Sequence, residues 1–324
     1  MISKNSNSLR AATMMGAIAT MFAAAFAQAA APMAKFQAPG FYRMALGDFE
    51  VTVLNDGTVD LPVDKQLRQP AAKTIQALDK SFVKAPLETS VNAFLINTGG
   101  KLVLIDTGTG GQFVSFAPQS GIWQSNLAAA GIDPRRVDSI LISHGHPDHI
   151  NGIKTKDNAL AFPNAEIFIA APEWAYWLDD ANLAKAADTA RPQFLNARRI
   201  FRDIGKRVTQ FEGERELVPG ITTVAAPGHT PGHYAFAIAS GNQSLLVLSD
   251  VTNNPYLFAR HPEWQAVIDV EGPRAVETRR QLLDRAAADR MLVQGYHFPF
   301  PAIGHIARAG GGYDFVPETW QAQP

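Results

Sequence analysis

A chain of 324 residues, 46% of them hydrophobic, has enough apolar material for one large or two medium globular domains. Its 29 basic and 30 acidic residues leave a formal net charge of −1, so bulk charge gives no attraction to nucleic acid or an anionic membrane, and a neutral or weakly charged small substrate fits better. No cysteine is present, which removes disulfides, thiolate nucleophiles, zinc–thiolate sites and cysteine-ligated clusters together; any metal must be held by His, Asp or Glu.

Along the chain, Lys4 and Arg10 precede an apolar, alanine-rich run from Ala11 to Ala27, with small-residue sites at Ala25-Phe26-Ala27 and Ala27-Gln28-Ala29. That order is the pattern of a secretory signal peptide. The expectation is a leader over residues 1–29, cleaved near 27 to 31, and one domain over 30–324 that is periplasmic or secreted if the cell is bacterial. No later segment is apolar for the roughly 18 residues a membrane span needs, so no membrane association is expected after cleavage.

Short β-branched runs then recur: "FEVTVLNDG" (49–57), "NAFLINTGGKLVLIDTG" (92–108), "SILISHGH" (139–146), "AEIFIA" (165–170), "ITTVAAPGH" (221–229), "HYAFAIASGNQSLLVLSD" (233–250) and "RMLVQGYH" (290–297). The second and sixth contain internal Thr-Gly-Gly and Ser-Gly-Asn turns and are predicted hairpins. Between them "IWQSNLAAAGID" (122–133), "PEWAYWLDD" (172–180) and "RAVETRRQLLDRAAAD" (274–289) are predicted helices; the last carries a one-sided apolar face. Sheets covered by helices, an α/β sandwich, follow from this order. "LIDTG", "LISHGHPDH", "VAAPGH", "LVLSD" and "LVQGYH" each start as a buried strand and end in a polar group, which is where rigid scaffolds present functional residues.

"HGHPDH" (144–149) puts three histidines and an aspartate into six positions directly after an apolar strand. Residues two apart on an extended segment point the same way, so His144 and His146 face one metal. Pro147 ends the strand and turns Asp148 and His149 toward a second. Of the eight histidines in the chain, seven lie in "SHGHPDH", "GHTPGH" and "GYHFPFPAIGH". His261 stands apart and reads as structural or exposed.

The loop, together with His229, Asp250 and His297, resembles the metallo-β-lactamase superfamily, whose hydrolases carry H-x-H-x-D-H followed by His, Asp and His. "KAPLETSVNAFLINTG", "LAFPNAE" and "GHTPGH" are similar to the methyl parathion hydrolases and related lactonases within it. The resemblance implies an αβ/βα sandwich of two mixed β-sheets flanked by helices. It implies one metal on His144, His146 and His229, a second on Asp148, His149 and His297, and Asp250 as a bridge. Nitrogen and oxygen donors suit two divalent ions, zinc first, with manganese or cobalt as alternatives. His233 and His305 take supporting roles, because both shells are filled without them. Asp106 either accepts the free N–H of a ligand histidine or is a plain turn aspartate. Phe113, Trp177 and Phe194 match an aromatic pocket lining, with ordinary core packing as the alternative for each.

The implied chemistry is attack on a carbonyl or phosphoryl centre by a hydroxide shared between the metals, with Asp148 and Asp250 fixing it. Lactones, aryl esters and organophosphate triesters are the implied substrates, and a homodimer the implied assembly. His146 stands where diiron, oxygen-reducing members carry glutamate, which argues against redox chemistry. Members that process RNA or DNA need gripping elements that this neutral chain lacks. A glyoxalase II-like thioesterase remains as an alternative, as does a member that binds ligand without chemistry.

Overall fold

The computed structural model describes residues 33–62, 66–112 and 117–323; the expected leader and Phe113 lie outside them. Two sheets each take their strands in chain order. The first holds β1 (Phe41–Leu46), β2 (Phe49–Leu61), β3 (Leu87–Asn97), β4 (Leu102–Ile105), β5 (Ser139–Ile142), β6 (Glu166–Ala170) and β7 (Val208–Phe211). It is antiparallel from β1 to β4 and parallel from β4 to β7. The second holds β8 (Glu216–Val218), β9 (Ile221–Ala225), β10 (Tyr234–Ser240), β11 (Gln243–Ser249), β12 (Leu292–Gly295), β13 (Ile303–Ala309) and β14 (Gly312–Pro317), with β11 and β12 its one parallel pair. Both predicted hairpins form, closing at the pairs Asn97–Leu102 and Ser240–Gln243.

Three apolar layers explain why the sheets stack. Alternation along β3 sends Phe94 and Ile96 into the space between the sheets, where they meet Phe236, Ile238, Leu245 and Val247. Ala93 and Leu95 point the other way, into a cluster with Trp123, Phe194 and Ile200. The second sheet divides likewise: Leu246 and Leu248 turn outward onto Leu282, Leu283 and Ala286. Strands apolar on both faces must be covered on both faces, and each such fully buried side chain contributes about 1.5–3 kcal/mol.

The covering helices are α1 (Ala71–Asp79), α2 (Trp123–Ala129), α3 (Pro147–Ile150), α4 (Ala171–Leu178), α5 (Asp180–Lys185), α6 (Arg191–Ile204) and α7 (Gly272–Ala288). α2, α4 and α6 cover the first sheet; α7 covers the second and carries the chain from β11 to its parallel neighbour β12. The result is the αβ/βα sandwich expected from the sequence. Among the described residues no helix is long and apolar enough to cross a membrane. The segments leaving β4, β5, β9, β11 and β12 carry Asp106, His144 to His149, His229, Asp250 and His297, so both sheets deliver polar groups to one place.

Candidate metal centre

The histidine-rich loop owes its shape to a change of backbone type. β5 ends at Ile142, and His146 is still extended (φ −70°, ψ 152°) when Pro147 opens α3 as its first residue. Proline suits that position because its fixed φ is helical and its missing N–H would be unpaired anyway. Extended backbone therefore aims His144 and His146 together, and the helical turn carries Asp148 and His149 elsewhere.

Two corners result. In the first, His146 Nδ1 lies 2.9 Å from His144 Nε2 and 3.0 Å from His229 Nε2. In the second, His297 Nε2 lies 3.3 Å from Asp148 Oδ2, and His149 Nε2 lies 3.6 Å from the same oxygen. Asp250 stands between them. Its Oδ1 is 3.3 Å from His149 Nε2 and 3.4 Å from His297 Nε2, while its Oδ2 is 3.4 Å from His229 Nε2 and 4.0 Å from His144 Nε2.

The outer ring nitrogens settle what the inner ones present. His149 Nδ1 donates to Asp106 Oδ2 at 2.9 Å, His229 Nδ1 to Asp269 Oδ1 at 2.9 Å, and His297 Nδ1 to the Ser90 carbonyl at 3.0 Å. His144 Nδ1 lies 3.0 Å from Ser143 Oγ, which gives its own proton to Asp106 Oδ2 at 2.7 Å. With the protons outside, Nε2 of His144 and of His229 turn bare lone pairs inward, and the single proton of His146 satisfies only one. A tetrahedral cation with bonds of about 2.0–2.1 Å would take all three, since its ligands stand about 3.3 Å apart. His149 Nε2 and Asp250 Oδ1 are buried without a hydrogen-bond partner, which leaves acceptors for a second ion. The donor set fits two divalent cations of the zinc type.

Electrostatics divide the corners in the same way. Burial, with repulsion among the rings, pushes His146 down to about 3 and His144 well below its ordinary value, so these two rings are neutral. Burial also opposes charge on His149 and His297, but Asp250 and its neighbouring carboxylates outweigh it, raising His149 well above the usual range and His297 to about 10. Conversely, burial opposes charge on Asp148 and Asp250, and the facing histidines override it, holding Asp148 at about 2 and Asp250 well below the carboxylate range. A divalent ion entering the second corner would take the place of the protons that these carboxylates hold on His149 and His297, so binding there releases protons.

Asp106 takes the orienting role and is more than a plain turn residue. It has a left-handed backbone (φ 57°), and its carboxylate also accepts the Ser143 N–H at 2.8 Å. His233 receives the Asp250 backbone N–H on Nε2 at 3.2 Å and is held neutral, near 3, chiefly by burial. It steadies the bridging aspartate's backbone. His305 is a correction: it sits on β13, half-exposed, with Nδ1 donating to the Met291 carbonyl and Nε2 beside Glu318, outside the ligand cluster. His261 stacks on Trp264 at the surface, as expected. Asp269, Ser143, Asn253 and Tyr296 were not foreseen. Asn253 donates to Asp250 Oδ2 at 2.7 Å; Tyr296 stacks on His149 and donates to the Asp148 carbonyl at 2.7 Å. Asp269 lies 40 residues beyond His229 in a loop with no motif, so only folding brings it there.

A cavity of about 390 Å³ opens over the two corners, with His146, Asp148, Asp250 and His297 in its floor. Val59, Leu61, Leu67, Leu87, Leu257 and Ile268 make its walls mostly aliphatic; among the described residues Phe258 is the one phenyl ring and no lysine or arginine lines it. Two of the three residues expected at an aromatic mouth are therefore corrected, while Phe113 lies outside the described residues. Trp177 and Phe194 are 1% and 3% exposed and pack in the core under α4 and α6, off the cavity wall. A ring pair with centroids 4.7 Å apart gains more from mutual burial than from facing solvent.

Residues 87–292 match the metallo-beta-lactamase superfamily. The N-acyl homoserine lactonase AttM of Azorhizobium caulinodans is 31% identical over 202 residues, 59% of this chain and 68% of that protein. An N-acyl homoserine lactonase of Bacillus cereus is 26% identical over 211 residues, 58% of this chain and 76% of that one. Among solved structures, AbOPH, a hydrolase in the beta-lactamase superfamily, superposes with a TM-score of 0.82 at 30% identity, over 88% of this chain and 100% of its own. AidC, a dizinc quorum-quenching lactonase in complex with a product, gives 0.81 at 27% identity, over 87% and 98%.

Proposed function

We propose, from the premise that this chain belongs to the metallo-beta-lactamase superfamily, that it is a dizinc hydrolase of neutral lactones and esters bearing an aliphatic chain. The observation that carries this is Asp250, whose two oxygens face two separate histidine clusters beneath an aliphatic cavity with no lysine or arginine among its described residues. When bound, a pair of divalent cations supplies Lewis acidity and lowers the pKa of water toward neutrality. His144, His146 and His229 would hold one ion, Asp148, His149 and His297 the other, and Asp250 both. The relatives named for acyl homoserine lactones and the dizinc lactonase support this choice of substrate and metal.

The chain's own groups do the rest. Asp148 is ionised, and its side chain, 26% exposed, is the ligand carboxylate most open to the cavity, so it can accept a hydrogen bond from the reacting water and fix its direction. Leu61, Leu257 and Ile268 exclude bulk water and take an acyl chain. An anionic thioester would find no lysine or arginine among the described residues of that wall. A neutral phosphotriester meets no such penalty, so organophosphate hydrolysis is proposed as a secondary activity of the same site. Export through the N-terminal leader and a homodimer complete the reading, on the charge-apolar-small order of residues 1–29 and on the family resemblance.

The test is turnover by zinc-loaded enzyme of an acyl homoserine lactone, dihydrocoumarin, methyl parathion and a glutathione thioester. Lactone should be hydrolysed fastest and the thioester not at all, and Asp250→Ala should be inactive. Preference for the thioester, or an active Asp250→Ala protein, would sink the proposal.

A further inference from the structure

Four of the five ligand histidines have an oxygen acceptor on or beside the outer ring nitrogen: the Ser143 hydroxyl, Asp106, Asp269 and the Ser90 carbonyl. His146 differs. It faces the first corner through Nδ1, and among the described residues no hydrogen bond reaches its Nε2. What fixes its ring is packing: the Trp177 indole meets it edge-on with centroids 5.5 Å apart.

Behind that indole lies Glu173, fully buried in the first turn of α4. Its Oε1 accepts the Trp177 Nε1–H at 2.6 Å and the Gly145 N–H at 2.7 Å. Its Oε2 accepts the Thr230 hydroxyl at 2.7 Å and the Gly232 N–H at 3.0 Å. All four donors are neutral, so a buried carboxylate sits without a cation, a costly arrangement that an apolar side chain would avoid. Apart from Trp177, which shares α4 with Glu173, the donors belong to the two loops that supply the first corner: Gly145 separates His144 from His146, and Thr230 follows His229 directly. Close approach is built in, since a Cβ at Gly145 would run into the Trp177 indole and one at Gly232 into the Glu173 backbone.

We infer that Glu173 is the positioning residue of the three-histidine corner, holding His146 through Gly145 and Trp177 and locking its loop to that of His229. This rests on the metal-centre reading above. The carboxylate does indirectly for His146 what Asp106 and Asp269 do by direct contact for their partners. Its effect is therefore confined to one ion, because the partners of His149 and His297, Asp106 and the Ser90 carbonyl, are separate from it.

The experiment compares Glu173→Gln, Trp177→Phe and a remote core control, Leu283→Ala, with the unaltered protein. Zinc dissociation constants come from chelator competition, and cadmium NMR of the doubly loaded protein follows each corner separately. A glutamine must turn its amide toward two of the four donors, so Glu173→Gln should weaken one ion about tenfold or more and shift the nitrogen-rich resonance alone. Trp177→Phe, which keeps a ring and removes one donor, should act in the same direction but less; it decides the matter if Glu173→Gln does not fold. Leu283→Ala should lower the melting temperature and leave both constants alone. Unchanged constants in both variants, or equal weakening at both corners, would overturn the assignment. If the unaltered protein binds fewer than two ions, the metal-centre reading falls and this inference with it.

Discussion

Replacing Asp269 by Asn tests how a carboxylate outside the ligand set controls a ligand. Asp269 is fully buried; Oδ1 accepts the His229 Nδ1–H at 2.9 Å and Oδ2 accepts the Ala266 N–H at 3.0 Å. Asparagine has the same shape but only one acceptor. The Ala266 amide is always a donor, so the asparagine oxygen goes to it and the NH2 turns toward His229 Nδ1. That nitrogen must then accept, which moves the ring proton to Nε2, the atom 3.0 Å from His146 Nδ1 in the first corner. The opposite amide rotamer instead leaves the buried Ala266 N–H unpaired, at about 1–3 kcal/mol. In the first arrangement the cost falls on the first ion, and loss of such an outer partner typically weakens binding 10- to 100-fold, about 1.4–2.7 kcal/mol; in the second it falls on folding. The assay is zinc affinity by chelator competition, paired with lactonase rates at limiting and saturating zinc. Weaker binding of one ion with activity restored by excess zinc is expected. Unchanged affinity, or an activity loss that zinc does not restore, would refute the tautomer argument.

A second prediction concerns Asp56, which is buried and accepts the Thr109 N–H and hydroxyl, both at 2.7 Å, and the Trp123 N–H at 3.0 Å. Burial, only partly offset by these bonds, pushes its pKa from 3.8 to about 6. The folded chain therefore holds the proton more tightly than the unfolded one. Its stabilisation is complete below about pH 3.8 and lost as pH rises through about 6, some 3 kcal/mol in all. Asp56→Asn should flatten the stability profile over that window; denaturation midpoints that change in parallel with the unaltered protein would contradict it. Third, stripping zinc should lower the melting temperature, because at a free ion concentration a thousandfold above Kd each site adds about 4 kcal/mol to the folded state. A midpoint indifferent to chelator would show that folding does not create the sites.

The parts legible in the sequence were those with local periodicity or a dense motif. Alternation in residues 92–108 and 233–250 gave both hairpins, and "HGHPDH" carried its own geometry because two backbone types meet at Pro147. α6 was harder. Residues 191–204 have an apolar stripe of Phe194, Ala197, Ile200, Phe201 and Ile204, a helical spacing partly masked by four arginines, and only as a packed helix does Phe194 become core. Trp177 was misplaced for a related reason: an aromatic residue near a metal loop looks the same in sequence whether it lines the cavity or stands behind a ligand. Asp269 and Glu173 were illegible because the metal-loop partners that give them their roles, His229 and Gly145, lie 40 and 28 residues away in the chain, and a single buried carboxylate has no period.

His144, His146, Asp148 and His149 leave the first sheet, whereas His229, Asp250 and His297 leave the second. Each cation would therefore be gripped from both sides of the sandwich, as a rivet grips two plates. In a polypeptide without one sulfur cross-link, prising the halves apart would mean giving up both rivets in a single event, so hydrogen exchange in the two sheets should slow together when zinc is supplied.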